Sequence, residues 1–160
     1  MNLRLFYPHN RCVNIAIGAD HGGFHLKEEL KSLLKRQGHT VLDVGAFNDR
    51  PSDYPDFALA VAEKIMQKKA VRGILVCGSG VGACVAANKF PGIRASVSHD
   101  TFSAHQGVED DAMNVLCLGA RIIGPRLAEE VVAAFLHARF SNAGRHRKRL
   151  QKVKDIEDNF

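Results

Sequence analysis

Short, mostly apolar stretches alternate with amphipathic stretches along the chain, and this alternation limits the possible fold more than any other feature. Five strands are predicted, at 13–18, 40–44, 73–77, 93–98 and 115–118. Strands that are apolar on both faces belong to a parallel sheet with helices packed on each side. We therefore predict an α/β fold, a single three-layer doubly wound domain with a five-stranded parallel sheet.

The first amphipathic stretch shows the helical pattern most clearly. Its apolar residues recur at i, i+4, i+7 and i+8, namely Leu26, Leu30, Leu33 and Leu34. Lys27 is predicted to lie with the other charged residues on the solvent-facing side. Later in the chain, the prolines of the 48–55 loop are expected to exclude regular structure there. In the helix predicted at 127–139, Leu127 is expected to point inward.

A polar helix is predicted from about residue 145 onward. Its apolar side consists only of Leu150, Val153 and Ile156. A stripe this narrow buries little apolar surface, so we expect this C-terminal helix to pack on a partner subunit.

Length and composition favour one cytoplasmic domain. The chain has 160 residues, and we predict an N-terminal leader at 1–12 and a single domain at 13–160. No apolar run approaches the roughly 20 residues that span a bilayer, and the start lacks the features of a secretion signal. The cysteines have no C-x-x-C spacing, so we expect reduced thiols in a cytoplasmic protein, with Cys84 and Cys117 buried and inert.

The net charge is +5, and much of the excess lies in the basic segment 145–149. Such a cluster is compatible with a solvated helix face, a nucleic-acid surface or a pocket for a small anion. Aromatic residues are not interleaved with these charges and Trp is absent, so this segment is poorly suited to stacking on nucleic-acid bases. The pattern argues against a nucleic-acid partner.

Three segments are candidates for the functional site, because ligands of an open parallel sheet bind beyond the carboxyl ends of its strands. They are 20–23 after the first strand, 77–82 after the third, and 109–114 before the fifth.

The glycine-rich turn of 78–82 is the strongest of these signals. Its successive N–H groups and the following helix N-terminus favour a phosphate or another oxyanion, although a tight turn without a ligand is the alternative. A P-loop is excluded because no lysine follows the turn. The turn also matches a dinucleotide fingerprint, with Asp100 as the ribose acceptor, so a nucleotide-binding module is a second hypothesis.

Cys77 comes directly before this turn. A thiol next to a helix N-terminus and cations ionises more readily than a free cysteine, so Cys77 is a candidate nucleophile or base. A buried, inert cysteine is the alternative interpretation.

Several motifs together resemble the ribose-5-phosphate isomerases of the B type, the family that includes the galactose-6-phosphate isomerase subunits. The resemblance runs from about residue 13 to the end, so the predicted leader is outside it. The matching segments are Asp20-His21-Gly22-Gly23-Phe24, Asp53-Tyr54-Pro55, Cys77-Gly78-Ser79-Gly80-Val81-Gly82, Ala86-Ala87-Asn88-Lys89, Gly92-Ile93-Arg94-Ala95, Asn114-Val115-Leu116, Gly119-Ala120-Arg121 and Gly144-Arg145-His146.

The resemblance implies aldose–ketose isomerisation of a phosphorylated sugar without metal or cofactor. Cys77 is implied as the base that moves a proton through a cis-enediolate, with Ser79 also in the catalytic set. Substrate contacts are implied for the backbone of the turn and for further side chains, namely Gly78, Gly80, Gly82, Asp20, His21, Tyr54, Asp111, Arg121, Arg145, His146 and Arg149. The expected assembly is a homodimer or homotetramer with shared active sites.

One position departs from the family pattern. Many members carry His-Asn where this chain has Asp110-Asp111, and that histidine is associated with opening of the sugar ring. Asp110 could act as an acid if its pKa were raised, or it could bind substrate hydroxyls and leave ring opening to solution or to His105. The substrate therefore stays open among ribose 5-phosphate and other pentose, hexose or tetrose phosphates.

Overall fold

The structure, a computed structural model, describes residues 12–159, and residues 1–11 and 160 are not described. The predicted leader at 1–12 thus lies almost wholly outside the described residues, and the division into leader and domain stays a prediction.

Five parallel strands form one sheet in the order β2-β1-β3-β5-β4. The strands are β1 (Asn14–Ala19), β2 (Thr40–Asp43), β3 (Arg72–Cys77), β4 (Ala95–Val97) and β5 (Val115–Gly119). The helices are α1 (Phe24–Arg36), α2 (Tyr54–Met66), α3 (Val81–Ala87), α4 (Thr101–Asp111), α5 (Pro125–His137) and α6 (Gly144–Asn159). The prediction of an α/β fold with a five-stranded parallel sheet is confirmed.

Helices cover both faces of the sheet, and each face has its own apolar core. On one face, α1, α4 and α5 pack on the sheet through residues such as Leu30, Val108 and Phe135. On the other face, α2 and α3 pack through Val61 and Ala83. This two-sided burial explains why the central strands are apolar throughout.

The strand register brings three carboxyl ends together. Ala19 at the end of β1 pairs with Val76 of β3, and Cys77 at the end of β3 pairs with Gly119 at the end of β5. The loops that follow these three strands therefore meet at one edge of the sheet.

Two expectations about the helices were wrong. Regular structure was excluded from the whole 48–55 loop, but α2 begins at Tyr54, with Pro55 in its first turn. Proline is tolerated there because the first N–H groups of a helix have no intrahelical partner. Leu127, expected to point inward, is 39% exposed, and Ala128 next to it is buried instead.

Lys27 was predicted on the solvent-facing side of α1, but its side chain is fully buried. Its Nζ donates to both carboxylate oxygens of Asp43, at 2.9 and 3.0 Å, and to the Ala46 carbonyl at 2.8 Å. Glu28 lies 2.7 Å from the same nitrogen. These partners, two of them at and just after the end of β2, offset the cost of burying a cation, and helical spacing alone does not reveal them.

The C-terminal helix α6 lies outside the two main layers and packs on α4 of its own chain. Its apolar residues Val153 and Ile156 remain 52% and 61% exposed. None of the helices between residues 12 and 159 combines the length and apolar character that crossing a membrane requires.

Candidate active site

The turn after β3 closes around the Cys77 thiol. The N–H of Gly80 donates to the sulfur at 3.0 Å, and the Cys77 residue is only 4% exposed. Gly80 has a φ of +85°, and a Cβ at this position would lie 3.1 Å from the carbonyl carbon of Leu118. Glycine is needed for both reasons. The Gly80 N–H, expected to face an oxyanion, is therefore directed at the sulfur and holds it in place.

Asp20 and His21 follow β1 and lie beside this turn. The Asp20 side chain is largely buried, and its Oδ1 accepts the N–H of Gly23 at 3.1 Å. A Cβ on Gly23 would overlap the carbonyl oxygen of Val76, so only glycine allows the two loops to approach this closely.

Ser52 holds His21. The His21 N–H donates to the Ser52 hydroxyl at 3.0 Å, and Nδ1 lies 3.0 Å from the Ser52 carbonyl oxygen and 3.1 Å from its nitrogen. Because Ser52 engages Nδ1, Nε2 is the ring atom that can meet a ligand in the cavity.

The turn after β5 supplies Arg121. Its backbone is tied to the glycine turn, since the N–H of Ala120 donates to Cys77 O at 2.8 Å and that of Arg121 to Gly78 O at 3.0 Å. The Arg121 side chain lies over Gly78, where a Cβ would be 3.6 Å from its Cζ. The backbone bonds thus place a guanidinium next to the Cys77 turn.

Tyr54 closes another side of the site. Its ring packs against Gly82, where a Cβ would come within 2.8 Å of Cζ. Tyr54 is the first residue of α2, so the early start of this helix brings its ring to α3.

These elements enclose an open cavity of about 430 Å³, a size that suits a small ligand. It is lined by Asp20, His21, Gly22, Tyr54, Cys77, Gly78, Ser79, Gly82, Arg121 and Ile122. Sequence reasoning missed Ile122 and included Gly22 only as part of the candidate segment 20–23. The glycine pair after β1 indicated Gly22, whereas only its position next to Arg121 could have indicated Ile122.

The segment 109–114 does not reach this cavity, contrary to the expectation that it lies at the carboxyl ends of the strands. It precedes β5 and lies at the amino ends. The N–H of Gly73 donates to Asn114 O at 2.8 Å, and Nη1 of Arg72 donates to Met113 O at 3.0 Å, both at the start of β3. Residues before a parallel strand lie at the edge opposite to the residues after it. Asp110 and Asp111 are therefore separated from Cys77 of the same chain by the length of the sheet.

Asp110 instead belongs to a cluster between α4 and α6. Its Oδ1 lies 3.2 Å from Nδ1 of His146, and its Oδ2 accepts a hydrogen bond from Gln106 at 2.8 Å. Nε2 of His146 accepts from Nε of Arg145 at 2.8 Å, so the ring hydrogen is on Nδ1. His146 is 3% exposed. Asp111 in α4 and Arg149 in α6 are exposed.

Cys84 was expected to be a buried, inert thiol, and the expectation of burial was wrong. It is half-buried, and the hydrogen bond from Cys117 is the main cause that lowers its pKa to about 7. Cys117 is fully buried, and the same bond together with burial raises its pKa well above the usual value.

Two other predictions concern cofactors. Asp100, the expected ribose acceptor of a dinucleotide site, caps α4, and its Oδ1 accepts the Ser103 N–H at 2.7 Å. Among the described residues, no three His, Cys, Asp or Glu side chains are grouped so that they could hold a metal ion.

Comparison with known proteins identifies relatives across nearly the whole chain. Residues 15–153 match the family model described as Ribose/Galactose Isomerase. Ribose-5-phosphate isomerase B of Escherichia coli is 41% identical over 143 residues, which cover 89% of this chain and 95% of that protein. D-erythrulose-4-phosphate isomerase of Pectobacterium atrosepticum is 43% identical over 134 residues, covering 82% of this chain and 88% of that protein.

A solved structure gives the same result for the fold. Ribose-5-phosphate isomerase B of Mycoplasma genitalium, with bound ribulose 5-phosphate, superposes with a TM-score of 0.86 and 38% identity. The match covers 92% of this chain and 97% of that chain. The nucleotide-binding alternative is not favoured, and the activity is aldose–ketose isomerisation of a sugar phosphate. The chain belongs to the ribose/galactose isomerase family.

Proposed function

We propose that Cys77 is the base of this isomerase and moves a proton between C1 and C2 of an open-chain sugar phosphate through a cis-enediolate. Its position in the cavity supports this role. Of the other side chains there, Asp20 already accepts the Gly23 N–H, His21 is held through Nδ1, and Arg121 has donors but no acceptor atom. The Gly80 N–H fixes the sulfur at the carboxyl end of β3.

The glycine turn supplies the electrostatic part of this mechanism. As the proton leaves, negative charge develops on the substrate oxygens at C1 and C2. Gly78, Ser79 and Gly82 line the cavity, and in this proposal their backbone N–H groups stabilise this charge. Gly80 has a different task, since its N–H positions the base.

The remaining cavity side chains bind the substrate. Asp20 accepts hydrogen bonds from sugar hydroxyls, and Arg121 and His21 bind the phosphate. A phosphate carries up to two negative charges and here lies near Asp20, so Arg121 alone neutralises it poorly. Arg145 and Arg149 are the additional cations in this proposal.

We place those arginines in a second copy of the chain. Arg145 and Arg149, with His146, Asp110 and Asp111, are on the side of α4 and α6 and do not line the cavity of their own chain. The exposed apolar residues of α6 are a surface that a second copy would cover. The proposed assembly is a homodimer or homotetramer in which each active site takes these residues from a neighbouring subunit.

Complementation tests this arrangement directly. Cys77→Ala and Arg149→Ala chains are each expected to be inactive alone. Subunits mixed by co-refolding should recover about a quarter of wild-type activity, because half of the dimers are mixed and one of their two sites is intact. An active monomer by light scattering, or no recovery in verified mixed dimers, would contradict shared sites.

The contacts of Asp110 favour a substrate that needs no ring opening. One carboxylate oxygen lies beside His146 and the other accepts from Gln106, so Asp110 is arranged as an acceptor and not as a proton donor. An aldotetrose 4-phosphate cannot close a five-membered ring, because its O4 carries the phosphate. We therefore propose tetrose 4-phosphates as the preferred substrates, with ribose 5-phosphate and ribulose 5-phosphate as slower ones.

NMR in deuterated water tests both the reaction and the base. Wild-type protein should incorporate deuterium at C1 or C2 of a tetrose or pentose phosphate. Cys77→Ala should lower the rate by about 10²- to 10⁴-fold, the usual contribution of a general base. Cys84→Ala, which removes another thiol from the same region, should keep the activity under reducing conditions. Unchanged activity of Cys77→Ala would refute the assignment of the base.

The same assay decides the substrate. In this proposal kcat/KM is higher for erythrose 4-phosphate than for ribose 5-phosphate, and Asp110→His narrows the difference by improving the ring-closed substrate. Equal losses on both substrates would show that Asp110 has no link to ring form. A cytoplasmic location is part of the proposal, because catalysis through Cys77 needs a reduced thiol.

A further inference from the structure

The N–H of the last residue of β5 binds a histidine ring. β4 ends at Val97, and the N–H of Ser98 still donates to the Cys117 carbonyl at 3.3 Å. Two residues further along β5, Gly119 is buried and its N–H donates to Nε2 of His99 at 2.9 Å. A buried backbone N–H needs an acceptor, and the imidazole supplies one where β4 has ended. Neither the mechanism nor the substrate contacts proposed above use His99.

Both chain neighbours of His99 are fixed, so the ring has a defined place. Ser98 is bonded to β5, and Asp100 caps α4 by accepting the Ser103 N–H at 2.7 Å. The hydrogen bond also fixes the tautomer of His99. Because Nε2 accepts, it carries no hydrogen, and a neutral ring then has its hydrogen on Nδ1. A protonated ring carries hydrogens on both nitrogens and has no acceptor for the Gly119 N–H.

Gly119 is in direct contact with the catalytic turn. It pairs with Cys77 in the sheet, and a Cβ on Gly119 would lie 2.7 Å from the carbonyl carbon and oxygen of Ser79. The next residue, Ala120, donates its N–H to the Cys77 carbonyl at 2.8 Å. Because Gly119 and Ser79 are closely packed, a shift at the end of β5 moves the turn as well. The same turn directs the Gly80 N–H at the Cys77 sulfur.

We propose that His99 is a positioning residue of the isomerase, whose neutral ring holds Gly119 and thereby keeps the catalytic turn in place. This role rests on the proposed function, in which the turn carries the base Cys77 and the N–H groups that stabilise the enediolate. Among the described residues, His99 is not one of those that line the cavity of its own chain. It therefore acts through Gly119 and not on the substrate, and losing it should affect kcat more than KM.

Replacing His99 by leucine and by glutamine separates the hydrogen bond from packing. Leucine occupies the site without an acceptor, whereas Oε1 of glutamine can take the position of Nε2. His99→Leu should lower kcat about 10- to 100-fold, because a displacement of about 1 Å at a catalytic group costs on the order of 100-fold in rate. KM should change less than kcat. His99→Gln should keep most of the wild-type kcat, and a glutamine variant as impaired as the leucine variant would contradict the role of Nε2 as acceptor.

His39→Leu is the matched control. Nδ1 of His39 also accepts a backbone N–H, that of Val13 at 3.2 Å, but this bond lies before β1 and β2, at the edge of the sheet opposite to the turn. The variant loses the same kind of hydrogen bond, so it should be less stable in urea while it keeps the wild-type kcat. An equal loss of kcat in His39→Leu and His99→Leu would show that His99 matters only for stability and would overturn the proposal.

NMR of the wild-type protein tests the tautomer without reference to activity. In mildly alkaline buffer, long-range ¹H–¹⁵N spectra should show His99 with a hydrogen on Nδ1 and none on Nε2. The signals are assigned by their absence from the spectrum of His99→Gln. A hydrogen on Nε2 would refute the proposal even if the leucine variant does not fold.

Amide hydrogen exchange reports the turn itself. Exchange at Gly119 and Gly80 should be at least about tenfold faster in His99→Leu than in the wild type, and unchanged in His39→Leu. If Cys77→Ala stays active, the assignment of the base fails, but faster exchange at Gly80 still shows that His99 holds the turn. Wild-type exchange at Gly80 in a folded His99→Leu protein would overturn the inference whatever the role of Cys77.

Discussion

Replacing Lys27 by methionine tests the buried charge cluster that supports the active-site edge of the sheet. Lys27 is fully buried, and its ammonium meets Asp43 at 2.9 Å, Glu28 at 2.7 Å and the Ala46 carbonyl at 2.8 Å. Methionine has a similar volume and fits beside the rings of Phe24 and Phe47, so the change removes the charge with little change in packing.

The expected loss of stability follows from what the remaining carboxylates can still contact. Removing one partner of a buried ion pair costs about 3–5 kcal/mol, because the other charge stays buried without compensation. Asp43 keeps Lys31 at 2.7 Å and the Gly45 N–H at 3.0 Å, which limits this cost. We therefore expect the free energy of unfolding to fall by about 3 kcal/mol, at the lower end of that range.

Lys31→Met is the matched control. Lys31 lies in the same helix and pairs with the same two carboxylates, at 2.6 Å from Glu28 and 2.7 Å from Asp43, but its side chain is 19% exposed. Water can replace it, so the expected loss is about 1 kcal/mol or less. Urea unfolding at one fixed protein concentration measures both variants. Equal losses, or a larger loss for Lys31→Met, would refute the argument that burial decides the cost.

A double-variant cycle separates the ion pair from packing. If Asp43 is costly only because its partner is gone, Asp43→Asn should restore part of the stability of Lys27→Met, although it destabilises the wild-type protein. The cluster also holds the loop that precedes α2: Ala46 accepts from Lys27 and donates its own N–H to Ala19 O at 2.6 Å, next to Asp20. Lys27→Met should therefore also raise the KM for the sugar phosphate.

Three further predictions concern other parts of the structure. Burial raises the pKa of Asp43, but hydrogen bonds from Lys31 and Lys27 outweigh burial, so the pKa is lowered overall. The contribution of Asp43 to stability is therefore present above about pH 4 and is lost as the pH falls through the lowered pKa. The free energy of unfolding should fall more steeply in acid for the wild type than for Asp43→Asn, and parallel curves would contradict this. Gly119→Ala should lower kcat at least about tenfold, because a Cβ there would lie 2.7 Å from the Ser79 carbonyl and displace the catalytic turn. Gly124→Ala is the control: a Cβ at Gly124 meets nothing within 4 Å, so this variant should behave like wild type in the same assay. The rate of alkylation of Cys84 by iodoacetamide, followed by peptide mass spectrometry, should rise with pH around its pKa of about 7, and Cys117→Ala should shift this rise to higher pH; an unshifted profile would show that Cys117 is not the cause.

Local patterns predicted most of the fold, because each central strand is buried on both faces and has to be apolar at every position. The stretches that became β1, β3 and β5 were found for this reason. The errors have a common cause, which is that the deciding partner is distant in sequence. The environment of Lys27 depends on Asp43 and Ala46, and the ionisation of Cys84 depends on Cys117, 33 residues away in sequence.

The site was predictable to the extent that it follows the strands. The loops after β1 and β3 were identified because parallel strands present their carboxyl ends at one edge. The turn after β5 was recognised only through the family resemblance to its Arg121 segment, and the acidic segment before β5 was wrongly assigned to that edge. The acidic residues and the family motif in this segment were taken as signs of a site there. Because the segment comes before β5, the direction of the chain places Asp110 at the opposite edge of the sheet.

In the proposed mechanism, the groups that perform the chemistry and those that select the substrate lie on different elements. The catalytic turn is held by contacts between backbones at glycines: Gly23 lies against Val76, Gly80 against Leu118, and Gly119 against Ser79. A side chain at any of these glycines would push the turn away from its place, so this part of the site tolerates little change. Asp110 belongs to different elements, and among the described residues its carboxylate contacts Gln106 of α4 and His146 of α6. In this proposal, substitutions there alter which sugar phosphate is accepted without disturbing Cys77. The proposed division would account for relatives named for a pentose phosphate and for a tetrose phosphate that are 41% and 43% identical to this chain.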